Sequence, residues 1–319
     1  MIFEKQVVNS YKSMIFTRCD DTQTVFYFSA DDFNGLKKEK FLFKSSMGHD
    51  LHGYIYSYDN CLSEKIVVFD HGFGGGHRAY MKEIEMLCKH GYRVLAYDHT
   101  GCMESGGETP NGLAQSLCDL NDCINSIKNN EYLSKLDISV IGHSWGAFST
   151  LNITALHPQI SHIVALCGFV SVNEMIKTFF SGILKGYRTA IWELEKSSNP
   201  RFAEFNAIDT LLNSDTKALL IYSEDDMMCK KEHYEMLKAG LEGKDNVAFM
   251  LVDNKGHNPN YTKEAVKLLG EFTKSRAKLL KSKNISEHDK KKFVSSFDWD
   301  AMTKQDNDVW NKIFEHLDT

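Results

Sequence analysis

Short apolar runs rich in β-branched residues recur along the chain, and most are followed by apolar residues at helical spacing. The runs predict buried strands, and the helical spacing predicts amphipathic helices. The predicted strands of this pattern are residues 65–70, 93–98, 137–141, 162–167, 217–222 and 247–252. The predicted helices are residues 77–90, 113–127, 145–156, 230–241 and 261–280. This alternation predicts an α/β fold in which a mostly parallel sheet carries helices on both faces.

The beginning of the chain has a different pattern. Residues 39–45 and 51–58 are predicted strands, and the turn Met47-Gly48-His49-Asp50 joins them. Two strands joined by a short turn predict an antiparallel hairpin at the start of the sheet. Residues 24–29, a short run of apolar and aromatic residues, predict one further strand.

Residues 172–205 interrupt the alternation of strands and helices. Their apolar positions repeat at helical spacing; they are Ile176, Phe180, Ile183, Leu184, Tyr187, Ile191 and Leu194. The pattern predicts a helical insertion, and two interpretations stay open. The insertion covers a binding cleft, or it packs on the sheet without a role in binding.

The last part of the chain differs from the rest in composition. Residues 281–292 are polar and charged, which predicts a linker. A short amphipathic helix is predicted beyond it from Val309, Trp310, Ile313, Phe314 and Leu317. We therefore expect one domain over residues 1–280 and a C-terminal extension over residues 281–319. The apolar face of the last helix is expected to pack on the body or on a second subunit, so an oligomer is possible through it.

Composition and charge exclude several classes of protein. The 319 residues carry a net charge of −6, without a basic cluster, which argues against a nucleic-acid partner. No apolar run approaches the roughly 20 residues that a membrane span needs, and the start lacks the pattern of a signal peptide. Eight scattered cysteines without a C-x-x-C predict reduced thiols and a cytoplasmic protein. No histidine pair has metal-ligand spacing, so neither a metal nor a cofactor is expected.

One short segment carries the strongest chemical signal. The sequence Gly142-His143-Ser144-Trp145-Gly146 is a G-x-S-x-G that stands between a predicted strand and a predicted helix. Glycines allow the tight turn, which exposes the Ser144 hydroxyl at the helix N-terminus. The positive end of the helix dipole there favours an oxyanion. Ser144 is therefore the candidate nucleophile.

A serine nucleophile needs a base and an acid that orients the base. His257 follows the last predicted strand, so it can reach over a nucleophile at the tip of a neighbouring strand. Three acids, Glu224, Asp225 and Asp226, follow the strand before it and compete for the orienting role. The order serine, acid, histidine is the order expected of one α/β architecture.

Several motifs together resemble the α/β-hydrolase superfamily over about residues 38–280. His71-Gly72-Phe73-Gly74 resembles the oxyanion loop of that superfamily, and residues 142–146 resemble its nucleophile elbow. Residues 98–106 resemble its D-x-R-G-x-G-x-S loop, with Thr100 in place of the Arg and Met103 in place of the second Gly. Residues 223–226 resemble its G-x-x-D turn, with Ser223 where Gly is usual, and residues 256–257 resemble its G-H.

The resemblance implies a fold and a set of roles. It implies an α/β-hydrolase fold with an antiparallel N-terminal hairpin and a helical cap at about residues 172–205. It assigns Asp226 as the acid of a triad with Ser144 and His257, and the backbone N–H groups of Phe73 and Trp145 as oxyanion donors. The expected activity is hydrolysis of carboxylic esters through an acyl-enzyme on Ser144. The expected partner is a small-molecule substrate with an apolar acyl group. Thioesterase, amidase or peptidase, acyltransferase and a non-catalytic binding module remain alternatives.

Overall fold

A single mixed sheet organises the residues that the structure describes. The structure is a computed structural model, and it describes residues 3–59, 61, 64–282 and 284–319. The strands are β1 (Lys37–Lys44), β2 (Asp50–Ser57), β3 (Lys65–Asp70), β4 (Arg93–Tyr97), β5 (Asp137–His143), β6 (His162–Leu166), β7 (Lys217–Ser223) and β8 (Val247–Val252). Their order in the sheet is β1-β2-β4-β3-β5-β6-β7-β8. β1, β2 and β4 pair antiparallel, whereas every pair from β4 and β3 to β7 and β8 is parallel. The predicted hairpin and the mostly parallel sheet are therefore confirmed.

Helices cover both faces of this sheet. They are α1 (Glu4–Ile15), α2 (Met81–Lys89), α3 (Gln115–Lys128), α4 (Trp145–Asn152), α5 (Val172–Phe179), α6 (Arg188–Ser198), α7 (Ala207–Leu212), α8 (Lys231–Gly240), α9 (Lys263–Leu279), α10 (Glu287–Ser295), α11 (Trp299–Met302) and α12 (Asn307–Leu317). Short 3-10 turns precede α2 at His77–Tyr80 and α6 at Gly182–Tyr187. Among the described residues, no helix combines the length and apolar character that crossing a bilayer would need.

The core forms two layers because side chains alternate along each strand. In β3, Ile66 and Val68 lie in one hydrophobic cluster, and Val67 and Phe69 lie in the other. All four side chains are fully buried. A strand with helices on both faces reads as a continuous apolar run, which is why this segment was recognisable from the sequence.

The C-terminal helix α12 completes one of these layers. Val309, Trp310, Ile313 and Leu317 are buried in the cluster that contains Val67 and its neighbours in the sheet. The predicted amphipathic face is therefore covered by the body of the same chain. Association of subunits through the helix stays an untested prediction, and its apolar stripe is already occupied.

The predicted strand at residues 24–29 is wrong. Those residues form no strand, and their aromatic side chains pack on other rings. The ring of Phe26 lies 5.0 Å from that of Phe28 and 6.0 Å from that of Trp299. The apolar run here therefore reflects packing on the C-terminal part of the chain rather than pairing with a sheet edge.

The predicted linker at residues 281–292 contains the first two thirds of α10. Ser286 caps this helix, because its Oγ accepts a hydrogen bond of 3.1 Å from the N–H of Asp289. The carboxylate of Asp289 bonds back to Ser286 Oγ at 2.6 Å. A polar segment can therefore form a helix when its capping residues are right, even without a long apolar stripe.

The predicted insertion leaves the sheet and returns at one point. An isolated antiparallel bridge joins Ser171 to Asn206, immediately outside the two ends of residues 172–205. Within it, Phe180 packs on α1, where its ring lies 5.9 Å from that of Tyr11. Ile183 is 97% exposed. The insertion therefore packs on the N-terminal helix, a contact that no sequence pattern indicates.

Candidate active site

Ser144 lies at the junction of β5 and α4, on the turn that the G-x-S-x-G pattern predicts. Its backbone has φ 56° and ψ −110°, a conformation that costs a non-glycine residue about 1–3 kcal/mol. A Cβ on Gly142 would collide with the carbonyl of Gly146, and a Cβ on Gly146 would collide with the carbonyl of Asp70. The two glycines therefore permit the turn, which leaves Ser144 partly exposed beside N–H groups that have no intrahelical partner.

The structure brings Asp226 and His257 together. His257 Nδ1 lies 2.7 Å from Asp226 Oδ2, while Asp226 Oδ1 accepts hydrogen bonds from the N–H groups of Met228 (2.7 Å) and Cys229 (3.1 Å). Asp226 is buried, whereas the side chain of His257 is 22% exposed. The carboxylate is therefore fixed on both oxygens, and the imidazole keeps an open edge. Glu224, another acid of this turn, is exposed.

Asp225 has a different position from Asp226. Its Oδ1 accepts three hydrogen bonds, from Ser223 Oγ (2.6 Å), the N–H of Lys255 (3.1 Å) and the N–H of Gly256 (3.0 Å). Asp225 therefore stabilises the backbone turn that carries the histidine, and Asp226 is the acid that contacts the imidazole.

The Ser144 hydroxyl lies near the histidine loop without bonding to it. Among the hydrogen bonds of the described residues, none joins the hydroxyl to His257. The hydroxyl interacts instead with the buried thiol of Cys229. Hydrogen bonds of this kind are often long in a free enzyme and shorten when a substrate binds. Ser144, Asp226 and His257 thus share one edge of the sheet, at the carboxyl ends of parallel strands.

Phe73 and Trp145 contact each other at the elbow. Phe73 lies in the loop after β3, and Trp145, the first residue of α4, directly follows Ser144. Their rings meet edge to face with centroids 5.0 Å apart, and Trp145 is 1% exposed. This packing holds the loop after β3 against the first turn of α4. The role of the two N–H groups as oxyanion donors stays a prediction.

His143, which sequence analysis did not select, connects the elbow to the histidine loop. Its Nε2 lies 2.6 Å from the carbonyl oxygen of His257, and its Nδ1 lies 2.8 Å from the Tyr80 hydroxyl. Burial lowers the pKa of His143 to about 3, so its ring is neutral. A carbonyl only accepts, so Nε2 carries the proton and Nδ1 accepts from Tyr80. Tyr80 in turn accepts from the N–H of Gly72 at 3.0 Å. His143 occupies a variable position of the G-x-S-x-G motif, which was the only indication of its role. Its hydrogen-bond partners are distant in sequence, so no local pattern indicates them.

A buried ion network lies beneath Trp145. His99 Nε2 is 2.9 Å from Asp70 Oδ1, and His99 Nδ1 is 3.2 Å from Asp119 Oδ2. Burial opposes the charged form, yet Asp70 and Asp119 raise the pKa of His99 to about 9. The imidazolium lies with its ring 4.6 Å from that of Trp145. It therefore joins the end of β3 to α3 directly behind the elbow, with its charge balanced by two carboxylates.

Two groups of described residues place three potential metal ligands within 4.8 Å of one another. They are Cys167, Asp226 and His257, and Cys118, Asp119 and Asp122. In the first group, the carboxylate already bonds to the imidazole and interacts with the Cys167 thiol. In the second group, the acids accept from His99 and from the N–H of Ser46. In both groups the carboxylates therefore already accept hydrogen bonds from protein groups.

A chain of hydrogen bonds connects the insertion to Trp145. Tyr11 of α1 donates to Glu195 Oε1 of α6 at 2.6 Å, and the N–H of Leu113 donates to Glu195 Oε2 at 2.7 Å. The carbonyl of Leu113 accepts from Trp145 Nε1 at 2.6 Å. Glu195 is fully buried, so both its oxygens depend on these donors. Tyr11 and Glu195 are 184 residues apart in sequence. No local pattern can therefore predict this network.

The Glu195→Gln variant should change how stability depends on pH. Burial raises the pKa of Glu195 from 4.5 to about 7. The stability that its protonated form contributes is present below pH 4.5 and lost as the pH rises through 7, because the folded state binds the proton more tightly. Glutamine can accept from Leu113 and donate to the Tyr11 hydroxyl without a charge. Between pH 5 and pH 8, the variant should therefore gain on the order of 2 kcal/mol over the parent in urea unfolding.

The matched control is Glu193→Gln on the same helix. Glu193 is exposed, so its replacement should shift the free energy of unfolding little, and equally at both pH values. A Glu195→Gln variant whose stability follows the parent at a constant offset from pH 5 to pH 8 would contradict the interpretation.

Comparisons with known proteins identify the family and the fold of the chain. A profile of the family described as serine aminopeptidase, S33, matches residues 63–250. The Bacillus subtilis protein YqkD is 24% identical over 244 residues, which are 73% of this chain and 77% of that protein. The Pyrococcus furiosus esterase Pf2001 is 23% identical with a TM-score of 0.59, covering 79% of this chain and 94% of its own. Est1E from Butyrivibrio proteoclasticus, solved with ferulic acid bound, is 17% identical with a TM-score of 0.56, and the match covers 74% of this chain and 99% of Est1E.

These structures confirm the predicted α/β-hydrolase fold. The family profile spans more than half of the chain, and it takes in the parallel part of the sheet, the elbow at Ser144 and the acid at Asp226. The chain therefore belongs to the serine aminopeptidase S33 family of α/β-hydrolases.

Proposed function

We propose that the protein is a serine hydrolase that cleaves carboxylic esters through an acyl-enzyme on Ser144. The observation that carries the proposal is the strained elbow at Ser144 beside the bonded pair Asp226 and His257. Strain at one residue persists only where its surroundings enforce it, and such residues cluster at active sites. The esterases among the similar structures support the ester preference.

The first half of the proposed reaction acylates the serine. Ser144 Oγ attacks the carbonyl carbon, and its proton passes to His257 Nε2. Asp226 accepts a hydrogen bond from the Nδ1–H of His257 and stabilises the imidazolium that forms. The carbonyl oxygen becomes an oxyanion, which accepts hydrogen bonds from the N–H groups of Phe73 and Trp145. Each such donor is typically worth about 10²–10³ in rate.

The second half returns the serine to its free form. The tetrahedral intermediate collapses, and His257 gives its proton to the departing alcohol. Water then attacks the acyl-enzyme while His257 takes a proton from it, and Ser144 leaves with that proton. The chain's own side chains supply the acid, the base and the first nucleophile in this scheme, and water is the second nucleophile.

We also propose that the acyl group is apolar. The ring of Phe73 lies beside the elbow, and two exposed methionines, Met227 and Met228, directly follow Asp226. Apolar side chains left in water next to a catalytic site favour an apolar ligand. Residues 172–205 would form the cap over this acyl group, since the insertion returns to the body at Asn206 beside its start. A cytoplasmic location is proposed from the eight cysteines, which are all free thiols.

Cleavage of peptides is the second candidate, because the family is described as serine aminopeptidase. An ester and an amide need the same nucleophile, base and oxyanion donors. They differ in the leaving group, since an amine must be protonated before it departs. Thioesters and acyl acceptors other than water would use the same residues.

The experiment that tests the proposal is covalent labelling with a fluorophosphonate. The probe phosphonylates an activated serine, so the parent protein should gain one adduct, at Ser144, by peptide mass spectrometry. Ser144→Ala should gain none. Rates on p-nitrophenyl esters of graded acyl length, their thioester analogues and aminoacyl p-nitroanilides then rank the candidate substrates. A parent protein that takes up no probe would support a non-catalytic binding module instead.

A further inference from the structure

Cys19, which follows α1, lies beside Cys102 of the loop after β4. The N–H of Cys19 donates to the carbonyl of Gly101 at 2.9 Å, and the N–H of Met103 donates to the carbonyl of Cys19 at 3.0 Å. This pattern makes Cys19 and Cys102 partners in an isolated parallel bridge. Their side chains therefore leave the backbone on the same side, as in two paired residues of a parallel sheet.

The bridge places the two cysteines within disulfide range. Neighbouring strands lie about 5 Å apart, and disulfides accept Cα separations of about 4.4–6.8 Å. In the reduced protein the Cys19 thiol donates to the carbonyl of Thr17 at 3.7 Å. The two thiols are also close enough for each to shift the pKa of the other. Rotation of the two side chains would bring the sulfur atoms together.

The two thiols differ in the way that a reactive and a resolving cysteine differ. Cys19 is partly exposed and Cys102 is buried. The Cys102 thiol lowers the pKa of Cys19, and this effect outweighs burial and the nearby carboxylate of Asp20, which both raise it; Arg18 and the N–H of Gly74 add smaller lowering effects. The same contact raises the pKa of Cys102. Thiolate character and access both favour attack by Cys19.

We propose that Cys19 and Cys102 form a redox modification site, which hydroperoxides oxidise to a reversible disulfide. The Cys19 thiolate attacks the O–O bond, which yields a sulfenic acid on Cys19 and releases an alcohol, or water from hydrogen peroxide. The Cys102 sulfur then attacks the Cys19 sulfur, and the hydroxide that leaves takes the thiol proton as water. Two thiols are oxidised by two electrons, and one peroxide is reduced. A dithiol reductant reverses the step by exchange.

The disulfide would fix the N-terminal segment to the loop after β4. Arg18 already clamps that loop, because its guanidinium donates to the carbonyls of Met103 (2.6 Å), Ser105 (3.0 Å) and Gly107 (2.7 Å). A covalent bond at the next residue would strengthen this attachment until the disulfide is reduced. Gly74, whose N–H also lowers the pKa of Cys19, directly follows Phe73.

The test follows thiols by mass and needs no enzyme assay, so its outcome is independent of the proposed function. The reduced full-length protein is treated with one equivalent of hydrogen peroxide, alkylated and digested. The expected result is a cross-linked peptide pair that contains residues 19 and 102, with a loss of 2 Da, and its disappearance after dithiothreitol. Dimedone should trap a sulfenic acid at Cys19 in Cys102→Ser.

Cys61 provides the matched control, because it is also a partly exposed free cysteine. Cys61→Ser should form the disulfide as the parent does, whereas Cys19→Ser should not. In the parent, Cys19 should be consumed at least about tenfold faster than Cys61. The proposal is overturned if the unmodified protein yields no such peptide pair, or if Cys61 is consumed as fast as Cys19. Both readings come from the parent protein, so a poorly folded variant does not decide the outcome.

Discussion

Replacing Ser144 by alanine should lower kcat for any ester that the protein hydrolyses by at least ~10³-fold, and His257→Ala should have a similar effect. The alanine variant lacks the oxygen that forms the acyl-enzyme, and the other variant lacks the group that removes its proton. Since the two side chains act in one step, the double variant should be little worse than either single variant. Steady-state kinetics on a p-nitrophenyl ester measures all three.

The matched control is Ser13→Ala, which removes an exposed hydroxyl bonded only to its own helix. Its kcat should equal that of the parent. Circular dichroism and urea unfolding confirm that the elbow variants remain folded. If Ser144→Ala retained most of its activity, the serine hydrolase assignment would fail, whatever the fold.

Replacing Asp226 by asparagine should lower kcat by roughly 10³–10⁴ while the fold stays intact. Both carboxylate oxygens accept hydrogen bonds, one from His257 and the other from the N–H groups of Met228 and Cys229. An amide has a single acceptor oxygen. It must therefore turn an NH₂ group toward the imidazole, which reverses the tautomer, or leave two backbone N–H groups facing another donor.

Asp225→Asn is the matched control, and the geometry gives the opposite expectation. All three of its hydrogen bonds fall on one oxygen, which an amide oxygen can replace. Its kcat should stay within about threefold of the parent, because a retained geometry retains the rate. Equal losses in the two variants, or a larger loss in Asp225→Asn, would contradict the assignment of Asp226 as the orienting acid. The pH dependence of kcat/KM adds a separate readout, since the orienting acid sets the tautomer of His257.

Local sequence was enough to predict the features that depend on neighbouring residues. The turn at Ser144 requires glycines two positions away on each side, so the five residues of the motif are enough to predict the turn. The buried strands were recognisable because a strand with helices on both faces is apolar throughout. The choice between Asp225 and Asp226 needed the family resemblance, because spacing alone left three acids open.

Other features depend on residues that are distant in the chain. Residues 24–29 are predicted to form a strand because their side chains are apolar, but the same apolar side chains can instead pack on a distant residue, as Phe26 does on Trp299. The bonds from Tyr11 to Glu195 and from His143 to the carbonyl of His257 join positions far apart in sequence. Such contacts arise only once the fold brings the elements together, so no window of sequence contains them.

The anchoring of Glu195 divides the motions available to residues 172–205. Helix α6 can shift only together with Tyr11 and Leu113, because moving it alone would leave the buried carboxylate of Glu195 without hydrogen-bond donors. The segment Gly182–Tyr187 has no comparable burial: Ile183 is 97% exposed, and Gly182 has φ 58°, which suits a pivot. If residues 172–205 form the cap that we propose, its opening and closing would therefore depend on this six-residue segment, whereas α6 remains part of the rigid frame. Turnover limited by product release would then be governed by residues that never touch the reacting atoms.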